Sequence, residues 1–169
     1  MRILTMDMDQ DQPKRRNYTP HQARLKAESY CAYQERSQKE IRDKLYEWGL
    51  FSKDVEEIIS ELIQNNFLNE ERFAMMYAQG KFRIKGWGKY KIKQGLKLKQ
   101  VPEKLIQKAL KNLDMDEYLA KLERIIIQKS ELLTEKDSFK RRMKLQQFAQ
   151  MRGFESDLIT EILKNRGLS

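Results

Sequence analysis

The chain has 169 residues, with 34 Lys and Arg against 25 Asp and Glu for a net charge of +9, and only seven Gly, three Pro and one Cys. So few breakers among so many Lys, Glu, Gln and Leu predict an all-α chain, and a lone Cys excludes an intrachain disulfide framework and points to a reducing compartment. No apolar run approaches the roughly 18 residues of a membrane span and MRILTMDMDQ lacks the apolar core of a signal peptide, so a cytoplasmic protein without membrane contact is expected.

Residues 1–17 read as a flexible tail, in which Asp7, Asp9 and Asp11 precede Lys14, Arg15 and Arg16 without a helical apolar period. The Gly and distal Glu of a calcium loop are missing there. Thr19-Pro20 is a cap followed by Pro at the first helical position, opening a helix to about Gln34 with Leu25, Ser29, Ala32 and Tyr33 toward the core. Ser37-Gln38-Lys39-Glu40 is a capping-box pattern. Ile41, Leu45 and Trp48 follow at helical spacing, with Gly49 as a left-handed stop. Ser52 is the expected cap of a third helix burying Val55, Ile58, Ile59, Leu62 and Ile63, which Asn65-Asn66 ends.

Phe67 and Leu68 staple the next helix, with Asn69 as its cap, Glu70 and Glu71 in its first turn, and Phe73, Ala74, Met76 and Tyr77 on its inner side. Gly86-Trp87-Gly88 breaks it. A helix from about Lys89 to Leu98 then turns Ile92 and Leu96 inward, and Gly95 beside them fits a close helix crossing. Val101-Pro102 opens a helix through Leu105, Ile106, Ala109 and Leu110. Asp114 or Asp116 caps a longer one carrying Tyr118, Leu119, Leu122, Ile125 and Ile126. Thr134 is expected to cap a helix with Phe139, Met143, Leu145, Phe148 and Ala149, ended by Gly153, and Ser156 the last, with Leu158, Ile159, Ile162 and Leu163.

The helices recur in threes. About 51 residues on, Ile41 maps to Ile92, Leu45 to Leu96, Leu50 to Val101, Val55 to Ile106 and Ile59 to Leu110. About 104 residues on, Gly49 maps to Gly153, Ser52 to Ser156, Val55 to Ile159 and Ile58 to Ile162. The expected fold is three tandem three-helix repeats in an elongated, curved array. They are placed at 18–66, 67–113 and 114–169.

Charge singles out the middle repeat. Between Arg72 and Pro102 there is no acid, while Arg72, Lys81, Arg83, Lys85, Lys89, Lys91, Lys93, Lys97 and Lys99 supply nine cations, leaving 25 cations against 25 acids elsewhere. Such a segment suits a polyanion or an acidic surface better than a solvated face, which interleaves both signs. Lys89, Lys93 and Lys97 share a helix flank at i, i+4 and i+8. Tyr90, opposite Ile92, stays exposed and could stack on a base or be an ordinary surface residue. Trp87 fits a core plug better than a contact.

Chemistry is sparse. His21 is the only histidine, Cys31 has no activating partner in sequence, and neither a zinc set nor a phosphate-binding glycine loop occurs. No catalytic residue, metal site or cofactor is assigned. A helix-turn-helix-like unit reading duplex DNA in the major groove is the alternative function.

Three stretches resemble the RecX family of bacterial regulators of the RecA recombinase. They are Ala32-Tyr33-Gln34-Glu35-Arg36-Ser37-Gln38-Lys39-Glu40, Phe67-Leu68-Asn69-Glu70-Glu71-Arg72-Phe73-Ala74, and Gly80-Lys81-Phe82-Arg83-Ile84-Lys85-Gly86-Trp87-Gly88. The resemblance implies a monomeric modulator that lodges in the groove of the RecA–DNA filament. It also implies weak electrostatic binding to single- and double-stranded DNA, and inhibition of ATP turnover and strand exchange in DNA repair. It marks Arg36, Arg72, Lys81, Arg83, Lys85 and the Trp87-Gly88 turn as matching positions. Arg36 and Arg72 could instead be structural ion-pair residues, with Glu40 and Glu70 nearby.

Overall fold

Local caps decide where the helices begin. In the structure, a computed structural model that describes residues 17–168, the Thr19 hydroxyl accepts from Gln22 N–H at 3.3 Å, and the Gln22 side chain accepts from Thr19 N–H at 3.1 Å. This reciprocal box satisfies two free donors, and Ser37 and Glu40 repeat it. The described residues form nine helices and no strand. They are α1 Pro20–Tyr33, α2 Gln38–Glu47, α3 Ser52–Gln64, α4 Glu70–Arg83, α5 Lys89–Leu98, α6 Glu103–Lys111, α7 Met115–Leu132, α8 Ser138–Met151 and α9 Ser156–Asn165. Of the tail expected over 1–17, all but Asn17 lies outside the described residues.

Among the described residues the helices pack most closely within the triplets α1–α3, α4–α6 and α7–α9, giving an all-α row of tandem three-helix units, as the repeat predicts. Equivalent positions do equivalent work. Ile41 and Ile92, Leu45 and Leu96, Val55, Ile106 and Ile159 are all fully buried. Gly49 and Gly153 end α2 and α8 at φ +89° and +94°. The matching position after α5 is Gln100, which takes φ +56° without being glycine.

Several expected faces and caps are corrected. On α1 the inner residues are Ala23, Ala27 and Cys31, while Leu25 and Tyr33 are exposed; Ser29 and Ala32 are exposed too. Small side chains at i, i+4 and i+8 let α1 approach its neighbours closely, a signal that a search for large apolar residues passes over. Ile63, Phe139 and Met143 likewise face outward, as does Met76, because Ala74 and Ala78 with Phe73 and Phe82 fill the inner side of α4. Ser52 and Ser156 are first helical residues behind Phe51 and Glu155, neither of which makes a side-chain cap. Asp137, not Thr134, caps α8 by accepting from Lys140 N–H at 2.8 Å.

Three units share only two cores. The first unit closes its own, from Ala23 to Leu62, with Leu68 of the following linker added. The second and third units share one continuous core from Phe73 to Leu163. Its centre is an aromatic chain in which Phe82 of α4 meets Tyr118 of α7 at 5.6 Å, and Tyr118 meets Phe154 at 5.2 Å between ring centroids. Gly95 permits the α4–α5 crossing as expected, since a Cβ there would collide with the Tyr77 hydroxyl.

Candidate nucleic-acid and partner interface

The joint between units two and three is built backbone against backbone. Gly88 N–H donates to Arg152 O at 2.8 Å and Tyr90 N–H to Gly153 O at 3.0 Å. Two glycines make this approach possible. A Cβ on Gly88 would overlap the Gly153 backbone, and one on Gly153 would lie 2.5 Å from Lys91 N. The joint carries the α4–α5 turn up to α7 and α8, and with it the central basic residues.

Cations of the third unit then close on that turn. Lys121 Nζ donates to Arg83 O at 2.8 Å and Arg152 Nη1 to Lys85 O at 3.4 Å, at the negative end of the α4 dipole. A Cβ on Gly86 would lie 3.4 Å from Arg152 Nη1 and 3.8 Å from Lys121 Cε. Lys81 and Lys91 each hold their ammonium 4.8 Å from the Trp87 ring centroid, while Trp87 packs on the shared core. Lys85 is exposed at the tip. Lys81, Lys85, Lys91, Lys121 and Arg152 thus gather around one turn, and among the described residues none pairs with a carboxylate.

The other expected cations are placed differently. Arg83 makes a bidentate pair with Glu117, at 3.1 Å for each bond, which raises the guanidinium pKa above its ordinary value. Lys93 reaches Glu103 at 2.8 Å and Lys97 the same carboxylate at 3.9 Å; the hydrogen bond from Lys93 holds Glu103 below the usual carboxylate range. Lys89 lies over the Tyr118 ring at 5.2 Å. The expected row of Lys89, Lys93 and Lys97 is therefore split between two environments. The segment is also less bare than its sequence suggests, because acids of the α1–α2 connection, α2, α6 and α7 fold onto five of its nine cations.

At the joint between units one and two the ties are polar. Arg72 pairs with Glu35, Lys99 Nζ with Glu40 Oε1 at 2.8 Å, and Gln38 N–H donates to Glu70 at 3.4 Å. Burial pushes the Glu70 carboxyl above the usual range. Arg36 remains within unit one, its guanidinium 3.7 Å from the Tyr30 ring and its Nε donating to Tyr30 O at 3.3 Å. Arg36 and Arg72 are thus held by local partners, Arg72 by Glu35 and not by Glu70. Tyr90 is 61% exposed at the start of α5, apart from these pairs.

Lys121 and Arg152 were not visible as site residues in the sequence. They belong to a third unit of nearly balanced charge, and only the docking of α7 and α8 brings them beside Lys85. Among the described residues no group of three or more His, Cys, Asp and Glu converges as metal ligands would, and no helix is long and apolar enough to cross a membrane.

A row of tandem three-helix units, with a knot of cations at the joint of the second and third, defines an all-α helical-repeat protein. Models of the first, second and third three-helix domains of RecX match residues 23–62, 69–110 and 116–163, and the chain belongs to the RecX family. A curated relative, Regulatory protein RecX of Prosthecochloris aestuarii, is 30% identical over 138 residues, covering 82% of this chain and 89% of the relative. Regulatory protein RecX of Clostridium perfringens strain 13 is 31% identical over 131 residues, 76% of this chain but 61% of the relative, so the chain spans about three fifths of that protein's length. The crystal structure of RecX from Lactobacillus salivarius superposes with a TM-score of 0.81 at 23% identity, covering 89% of this chain and 97% of that one, which shows the shared fold.

Proposed function

We propose that this protein binds the RecA filament on DNA and restrains its ATP turnover and strand exchange. Membership of a family whose relatives are named regulatory proteins supports a regulatory role. The observation that carries the filament reading is the knot of Lys81, Lys85, Lys91, Lys121 and Arg152, none of which pairs with a carboxylate among the described residues. A polyanion at that turn relieves their mutual repulsion, and a row of units linked end to end can touch neighbouring protomers while the knot approaches the DNA they enclose. The pairing of Lys93 and Lys97 with Glu103 weighs against α5 as a groove-reading recognition helix.

The test is titration of the protein into RecA assembled on single-stranded DNA, with ATP hydrolysis and strand exchange followed together. Both should fall in a saturable manner. A rise in both reverses the sign of the regulation. No change in either ends the filament reading.

A further inference from the structure

We infer that the joint of units two and three is a composite phosphodiester-backbone site to which the second unit contributes Lys81, Lys85 and Lys91 and the third contributes Lys121 and Arg152. It takes DNA phosphates without regard to base sequence. The inference deepens the filament reading by naming the residues that meet nucleic acid there.

Three observations carry it. Lys85 projects into solvent at the turn between α4 and α5, with Lys121 and Arg152 fixed beside it by their bonds to Arg83 O and Lys85 O. Those bonds use carbonyl partners, so each side chain keeps its full charge and its remaining N–H donors. Lys81 and Lys91 add two further charges through Trp87. The glycine contacts that clamp Gly88 on Gly153 hold the two halves in register, so the spacing of the charges is set before any ligand arrives.

The ligand class follows from the same geometry. Trp87, engaged by two ammonium groups and packed on the core, is not a free stacking surface. Ammonium and guanidinium groups reach phosphate oxygens readily, and contacts of this kind position a protein on DNA without reading its sequence. The lysines tied to Glu103 fall outside the site, since a phosphate would have to displace a carboxylate to reach them.

The experiment measures anisotropy of a labelled oligonucleotide, single-stranded and duplex, across a salt series. The wild type is compared with Lys85→Gln/Lys121→Gln and with Lys93→Gln/Lys97→Gln. If Lys85 and Lys121 each meet a phosphate, the first variant flattens the log–log salt slope by about 1.8 on duplex and about 1.4 on single strands, at roughly 0.9 and 0.7 per contact. The second variant leaves the slope unchanged, and scrambling the base sequence leaves affinity unchanged. An unaltered slope in the first variant, an equal flattening in the second, or a base-sequence preference overturns the site. Arg152→Lys, which keeps the charge, should retain wild-type slope; a loss there assigns Arg152 a purely structural part and removes it from the site. Because Lys121 also bonds Arg83 O, Lys85→Gln alone is measured too: its side chain makes no internal contact with a carboxylate, and about half the change must survive in it. RecA ATPase is read in parallel. Wild-type inhibition with an unchanged DNA slope ends the site alone, whereas a changed slope without any effect on RecA ends the filament reading alone.

Discussion

The Tyr118 hydroxyl donates to Glu155 Oε2 at 2.5 Å. The Tyr118 phenol oxygen in turn accepts Lys89 N–H at 2.9 Å, so one fully buried ring links α7, the start of α9 and the start of α5. It is the polar keystone of the shared core. Tyr118→Phe keeps the ring packed between Phe82 and Phe154 but leaves both hydrogen-bond partners unmatched. Leaving a buried partner unsatisfied costs about 1–3 kcal/mol, and urea unfolding should show a loss of that order. A loss below the error of the fit would mean that water serves Lys89 and Glu155 equally well.

The same phenol gives the protein an alkaline limit. Burial, with the bond to Glu155 adding to it, holds the Tyr118 pKa well above its ordinary value. The folded state therefore keeps a proton that the unfolded chain releases near pH 10. The sign is fixed: the contribution is complete below that pH and declines as pH rises above it. In unfolding measured from neutral to strongly alkaline pH, Tyr118→Phe should show a shallower decline than the wild type. Parallel curves would refute this.

Glycine substitutions should fall into a graded order. Gly153 has φ +94° and Lys91 backbone against its α-hydrogen, so Gly153→Ala meets both conformational strain and a steric clash with main chain. Gly49 has φ +89° but meets chiefly the Asn17 side chain, and Gly167 at φ +63° meets nothing. A left-handed residue with a Cβ costs about 1–2 kcal/mol. Gly167→Ala should cost that or less, Gly49→Ala about that, and Gly153→Ala clearly more. Gly153→Ala should also weaken the DNA salt slope, because it shifts α8 and Arg152. Equal costs at Gly153 and Gly167 would contradict the clamp.

Gln100 offers the reverse case. It occupies the position of Gly49 and Gly153 in the repeat and adopts φ +56° at the end of α5. Gln100→Gly should raise stability by up to about 1 kcal/mol, the relief of left-handed strain being partly offset by extra freedom in the unfolded chain. Thermal melts at matched concentration decide it, and a fall in Tm would mean that the Gln100 side chain has a role of its own.

Cys31 reports on the first unit. It is buried and its thiol is pushed up to about 11, so near neutral pH opening of that core speeds its reaction with a thiol reagent. The unit is tied to the rest by the Glu35–Arg72 and Glu40–Lys99 pairs, which are partly exposed and worth little individually. Arg72→Ala should speed Cys31 labelling by about two- to five-fold, the equivalent of roughly 0.5–1 kcal/mol, and moderate salt should act in the same direction. Labelling that tracks only global unfolding would show that the whole array opens as one body.

Sequence by itself determined the helices and their grouping. Capping at Thr19, Ser37, Asn69 and Asp114 depends on neighbours three residues away, and apolar spacing repeats because each unit buries the same positions. Both are local chemistry, so they are legible along the chain, and the RecX likeness of the motifs rested on them. The tertiary structure alone decided which cations remain unpaired. Glu103 and Glu117 lie outside the basic stretch yet fold back onto it, while Lys121 and Arg152 arrive from a unit of balanced charge. Ion pairing depends on distance in space, and the distance between Lys85 and Arg152 is set by two glycine turns meeting across a shared core, which no spacing along the chain encodes.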